Sequence, residues 1–312
     1  MRRGAKLLAA ASGAAIYAAW RLWRTRRTAF DWGELPEGVE LLEDMDDAVG
    51  CLTAAWTGTA DADPERGFDW MLGPELAAKD DPERLRLLAW CQRFFLGLAG
   101  ASGGAVLAVR RGGDVVAAVG VVPYARGLPG PVGDLLNLAR ALAPLALRHG
   151  LGGFAAPGFG DRFKAAWPLV DEAHRKACAG PHLHVGPVGV RPESQGRKLL
   201  SPMLRHVSAL ADGAGWQCYL ECSGPRNAAI YGHFGYADVG GPGLERGPMT
   251  LTCPLTGDTF DSFWSMVREP KNASEAAAEE EEKEEEKESE KEEEVDMRGG
   301  LDMFGDGGTS DY

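Results

Sequence analysis

Between His182 and Tyr236 the sequence switches apolar period several times in succession, and this constrains the fold more than any bulk property. His182–Val190 reads as a strand, and Arg191–Pro192 stops its pairing. Ser194–Gln195–Gly196–Arg197 then opens a helix, Gln195–Asp212 with its loop, apolar at Leu199, Leu200, Met203, Leu204 and Val207. Gln217–Cys222 reads as a second strand and Asn227–Phe234 as a short helix ended by Gly235. Strand, turn, helix, strand, turn, helix is the grammar of a layered fold with helices covering a sheet.

The first of those turns carries chemistry. A glycine-containing turn that feeds a helix N-terminus directs free N–H groups and the positive end of the helix dipole at one spot, which suits a phosphate. Arg197 and Lys198 add fixed positive charge beside it.

The preceding half supplies more elements. Gly38–Leu42 alternates as a strand, and Glu43–Thr57 has helical spacing through Met45, Ala48, Cys51, Leu52 and Trp56. Asp61–Arg66 is a polar loop, and Pro82–Leu98 is a strongly amphipathic helix. Gly104–Arg110 and Asp114–Val122 are β-rich runs joined by the hairpin turn Arg111–Gly112–Gly113. Leu135–Arg148 and Asp161–Lys176 read as helices, the first expected to kink or break at Pro144. Tyr236–Val239 and Met249–Cys253 are expected as terminal strands. The fold class is therefore α/β (α+β), over a domain spanning residues 36–256, with 257–271 as a connector. No dinucleotide-binding G-x-G-x-x-G, P-loop or G-x-S-x-G pattern occurs.

Charge divides the 312 residues into three parts. Residues 1–30 carry seven bases and no acid, residues 31–271 carry a net −7, and residues 272–312 carry seventeen acids against four bases. The overall −13 argues against nucleic acid as a partner, and the tail's −13 stays out of arguments about the domain. Six scattered cysteines form no C-x-x-C pair and read as reduced thiols in an intracellular compartment. His182 and His184 share a strand face, but no second ligand pair accompanies them, so no metal site is expected.

Three readings of the first thirty residues are open. An organellar transit peptide (mitochondrion or plastid) is basic and acid-poor, as here. A membrane anchor would make contact through residues 5–23, although Leu7–Trp20 is only fourteen residues against the roughly 20 a span needs. A cleaved secretory signal is disfavoured by Arg21, Arg24, Arg26 and Arg27 at its exit. From Asn272 the chain is an acidic low-complexity tail with too few large apolar residues to offset ordering entropy, and it reads as disordered, with an acidic docking peptide as the functional alternative.

The segment His182–Tyr236 resembles the GNAT superfamily of acetyl-CoA-dependent N-acetyltransferases, in particular its puromycin N-acetyltransferase-like branch. The residues that carry the resemblance are Val188–Gly189–Val190, Arg191–Pro192–Glu193, Gln195–Gly196, Tyr219–Leu220–Glu221, and Pro225–Arg226–Asn227 continuing to Tyr231 and Phe234–Gly235–Tyr236. The resemblance implies a mixed, mostly antiparallel sheet with two splayed central strands. It implies that Val188, Gly189 and Val190 pair with the pantetheine arm of acetyl-CoA, and that Gln195, Gly196, Arg197, Lys198, Leu199 and Leu200 hold its pyrophosphate. Asn227 would lie near the cofactor arm. Tyr231 would protonate the departing thiolate, a role that suits a phenol of ordinary pKa about 10. The acceptor would be a primary amine of a small molecule or a protein; the oligomeric state is left open.

Lys198 and Leu200 stand where the family's loop has small residues, so their side chains either crowd the pyrophosphate or point away while the N–H groups serve. That departure sustains an alternative: a non-catalytic binding or adaptor module with the same fold. Other residues also carry two readings. Glu221 is an outward-facing carboxylate or a general base, and His182 and His184 are structural or basic. Tyr231 is a packed aromatic or an acid, and Asn227 a helix cap or a cofactor contact. Trp56, Phe68 and Trp70 line an amine pocket or fill the core.

Overall fold

The β-rich runs assemble into one eight-stranded sheet in the computed structural model, which describes residues 30–58, 66–150, 158–241 and 246–271. The strands are β1 (Glu40–Leu41), β2 (Ala105–Arg111), β3 (Asp114–Tyr124), β4 (His182–Val190), β5 (Gln217–Ser223), β6 (Ala237–Asp238), β7 (Met249–Thr252) and β8 (Thr259–Arg268). Their order is β1-β2-β3-β4-β5-β8-β6, with β7 also lying against β8. Every pairing is antiparallel except β4 with β5. The helices are α1 (Asp47–Thr57), α2 (Arg66–Leu72), α3 (Pro82–Ala101), α4 (Pro131–His149), α5 (Phe159–Ala177), α6 (Leu200–Ala214) and α7 (Pro225–Gly232).

Strand alternation sorts the core onto two faces. Val106, Ala108 and Ala118 face one side and pack with Ala48, Val49, Cys51 and Leu52 of α1. Leu107, Ala117, Val119 and Val121 face the other, where Met203, Leu204, Val207 and Ala211 of α6 cover them. A third cluster joins α2, α3, α4 and α5 through Leu72, Leu88, Phe94, Leu145 and Phe159. The α3 start is capped by Asp81, whose carboxylate accepts from the Glu83 N–H at 2.7 Å, with Pro82 at the first helical position. Arg268, nearly buried, makes a two-pronged ion pair with Asp212 at 2.7 and 2.6 Å, which ties β8 to α6.

Several expectations need correction. The expected connector 257–271 contains β8, a central strand with β5 on one side and β6 and β7 on the other. Its signal was hidden because both faces are covered: Ser265, Met266 and Val267 are consecutive and all buried, so a period of two does not appear. Neither Pro144 nor Pro168 ends its helix. Both prolines are exposed, so the disruption falls on the solvent side of each helix. Helix α2 lies where no element was expected, and α6 starts at Leu200 rather than Gln195. Strand β4 has the expected bounds. The six cysteines are free and buried.

The basic leader, the membrane contact through residues 5–23 and the acidic tail from residue 272 lie outside the described residues. Among the described residues no helix is long and apolar enough to cross a membrane.

Candidate functional site

The site begins where two strands stop pairing. β4 and β5 run parallel and pair only through His182–His184 opposite Gln217–Tyr219. Beyond that point β4 stays on β3 as far as Val190, and β5 stays on β8 as far as Ser223, so a fork opens between them. A bulge marks the fork: Gly120 of β3 faces both Gly186 and Pro187 of β4. A Cβ at Gly120 would stand 2.5 Å from the Gly186 carbonyl oxygen, so only glycine fits.

Ladder geometry decides which backbone groups face the fork. The Arg191 N–H donates to the Val116 carbonyl, so the opposed pair Val190–Ala117 is a non-hydrogen-bonded one. Val190 and Val188 therefore turn their N–H and C=O groups away from β3, into the fork, while Gly189 turns its own toward β3. The Val188 carbonyl accepts from the Trp56 indole N–H at 2.9 Å, and the Val190 carbonyl from the Gln195 side-chain amide at 3.3 Å. The two N–H groups face the opening. Gly189 has a packing reason to be glycine: a Cβ there would meet Ala55 of α1 at 2.8 Å.

Past β4 the chain makes a short turn, Pro192–Ser194, and an exposed loop before α6. The Gln195 N–H bonds the Pro192 carbonyl and the Ser201 N–H bonds the Lys198 carbonyl. Among the described residues, the amides of 196–200 between them bond no backbone carbonyl. Two positions in the loop have positive φ: Gly196 at +74° and Lys198 at +56°. Lys198 is the one non-glycine residue in that region among the described residues. The loop thus keeps a glycine-like backbone path without the glycine, at a cost of about 1–2 kcal/mol. Leu199 and Leu200 pack against the core that α6 covers. Arg197 and Lys198 of the loop, Arg205 of α6 and Arg226 of α7 are cations on the cavity wall. Arg191 is not among them, because its Nε–H donates to the Val115 carbonyl at 2.9 Å. Arg205 was not anticipated, although it lies one turn after Ser201, to whose hydroxyl it donates.

At the closed end of the fork His184 Nε2 lies 2.8 Å from Glu221 Oε2. His184 is the last paired residue of β4 and Glu221 lies two beyond the last paired residue of β5, so one carboxylate–imidazole pair bridges the point of divergence. Behind it, His182 Nδ1 is 2.8 Å from the Gly180 carbonyl, which requires the proton on that nitrogen. His182 Nε2 is then an acceptor, and His174 Nε2, 2.9 Å away, donates to it. His174 stacks on Tyr219 with ring centroids 3.9 Å apart. Burial, with the neighbouring His184, His182 and Arg175, holds His174 far below the ordinary imidazole range. Burial also lowers His182, opposed by the Gly180 carbonyl. Both rings are therefore neutral supports. His174 carried no distinguishing signal in the sequence; it is one titratable residue on a covered helix face.

Fork and loop open into one cavity of about 1480 Å³ that also runs beneath α1, α3, α4 and α5. Tyr231 and Asn227 of α7 line it. Tyr231 is buried, 6.0 Å from the Tyr236 ring, and Asn227 donates to the Ser223 carbonyl at 2.9 Å. Gly224, not Asn227, is the N-cap of α7. Trp56 and Phe68 face the cavity, whereas Trp70 donates to the Asp258 carbonyl and packs with Leu251 and Phe260. His233 is exposed at the rim.

No family model and no curated protein matches the chain. Solved structures similar to it include acetyltransferases. One is a Corynebacterium glutamicum protein described as histone acetyltransferase HPA2 and related acetyltransferase, 18% identical, with 75% of this chain and 96% of that chain covered and a TM-score of 0.44. A Drosophila melanogaster polyamine N-acetyltransferase is 16% identical over 74% of this chain and 99% of its own, with a TM-score of 0.38. A GNAT superfamily phosphinothricin acetyltransferase from Sinorhizobium meliloti, solved with acetyl-CoA, is 11% identical over 76% of this chain and 91% of its own, with a TM-score of 0.36.

Proposed function

We propose that the protein transfers an acetyl group from acetyl-CoA to a primary amine by direct attack. The observation that carries this reading is the fork itself. One end holds the unengaged amides of 196–200 among Arg197, Lys198 and Arg205, and the other holds the His184–Glu221 pair. A polyanionic thioester fits the first and an amine that must lose a proton fits the second.

Acetyl-CoA is a substrate here and supplies the activated acetyl group. Gly196 to Leu200 hold the pyrophosphate through their amides, aided by Arg197 and Lys198, and Gln195 fixes the start of the loop through the Pro192 and Val190 carbonyls. The Val190 N–H pairs with the pantetheine arm, and the Val188 N–H stabilises the oxyanion. Gly189 supports that strand by letting α1 approach it. Asn227 fixes the α7 entrance beside the arm. Glu221, with His184, accepts the proton of the attacking amine. As the carbon–nitrogen bond forms and the carbon–sulfur bond breaks, Tyr231 gives its proton to the leaving sulfur. Holding both reactants in one cavity supplies much of the acceleration.

The test has two stages. Acetyl-CoA at millimolar concentration should raise the melting temperature of the full chain, and a panel of primary amines should then release free thiol. No melting shift sinks the reading. A shift without thiol release from any amine favours a non-catalytic binding module.

A further inference from the structure

We infer that the acceptor is a primary monoamine with a hydrophobic body rather than a polyamine; this rests on the acetyl-transfer reading and names its substrate class. The part of the cavity away from the loop is walled by rings. Trp56, Phe68 and Phe95 form a triad with centroids 4.2, 6.2 and 6.5 Å apart. Phe163 and Trp167 of α5 stack at 5.3 Å. The rim is apolar too, with Leu135 66% and Trp167 42% exposed.

Three carboxylates line the cavity among the described residues, and each has a partner. Asp134 and Asp171 both bind Arg175, at 2.6 and 2.9 Å. Arg175 also donates to the Pro129 carbonyl at 3.0 Å, which fixes its guanidinium between them. Glu221 is held by His184. The remaining charged group on that side is Lys164, an exposed cation that pairs with Asp161 at 3.7 Å. A polyamine brings a second ammonium that needs a carboxylate of its own, and burying it among rings without one is costly. A single amine directed at Glu221 leaves its hydrophobic body to fill the ring-lined space, which is favourable.

The experiment compares phenethylamine, octylamine and spermidine on the full chain, by melting shift without acetyl-CoA and by thiol release with it. The two monoamines should stabilise the protein, and their kcat/KM should exceed that of spermidine at least ten-fold. The first two arms separate an aryl from an alkyl body. Arg175→Gln should uncover Asp134 and Asp171 and raise the kcat/KM of spermidine relative to phenethylamine. Spermidine equal to or better than both monoamines in the wild type overturns the inference, whatever the variant does. Turnover of polyamines alone overturns the inference but leaves acetyl transfer standing. Stabilisation by monoamines with no thiol release supports the pocket and removes the transfer reaction.

Discussion

His184 Nε2 stands 2.8 Å from Glu221 Oε2, although the two are 37 positions apart in the chain, and the contact bridges the point where their strands part. The pair can act as one proton-accepting unit. Glu221→Gln and His184→Asn should each lower kcat/KM by about a hundred-fold or more. The double variant should be little worse than either, since groups acting as a unit are non-additive. Thiol-release rates for the three variants check this; multiplicative losses would show two independent roles.

Tyr231 lines the same cavity from α7. Tyr231→Phe keeps the ring and its packing and removes the acid. The expected result is a fall in kcat of about ten- to a hundred-fold with KM for acetyl-CoA unchanged. Unchanged turnover eliminates Tyr231 as the proton donor.

Lys198 sits at φ +56° in an exposed loop. Lys198→Gly should stabilise the fold by about 1 kcal/mol by relieving the left-handed conformation. Lys198→Ala should not, because alanine shares the same steric penalty. Urea midpoints distinguish the two, and equal shifts would point to charge instead of conformation.

His174 and His182 are both held neutral in the folded chain, His174 by burial first and then by the neighbouring His184, His182 and Arg175. Their folded pKa values lie below the unfolded imidazole value of about 6.5, so below that pH the unfolded state binds more protons. Stability is fully present above pH 6.5 and is lost as pH falls, by up to about 1.4 kcal/mol per pH unit for each group. His174→Phe keeps a ring on Tyr219 and should flatten the decline between pH 6.5 and 5. Denaturant titrations across that range measure the slope, and an unchanged slope assigns the decline to other groups.

Asp212 compensates a guanidinium that is 4% exposed. Asp212→Ala should cost about 3 kcal/mol by leaving Arg268 buried and unpaired. Adding Arg268→Met should recover part of the loss. Both are read from urea midpoints.

Much of this was legible in the chain. The hairpin of β2 and β3 followed from two β-rich runs flanking Arg111–Gly112–Gly113, and Gly112 and Gly113 adopt φ of +61° and +94°. The loop at Gln195–Leu200 was visible as a glycine turn before a helix. Glu221 and His184 were each visible as titratable residues on strands, but nothing in either strand said that they meet. Strand β8 was not legible, because a strand buried on both faces loses the alternation that marks one. Arg191, between β4 and the loop, donates to the Val115 carbonyl and is absent from the cavity wall, which its place in the sequence does not reveal.

By itself the sequence determined the local matters: where most of the strands and helices run, which turn needs glycine, and which residues bear protons or charge. These depend on neighbours within a few positions, through backbone sterics and side-chain periodicity. Only the tertiary structure decided that β4 and β5 pair for three residues and then part. It also decided that His184 and Glu221 close the fork, that Trp56 takes the Val188 carbonyl, and that Arg175 occupies two of the cavity's carboxylates. Those relationships join residues far apart in the chain. They are fixed by which helix covers which face and by the bulge at Gly120, and no local pattern encodes either.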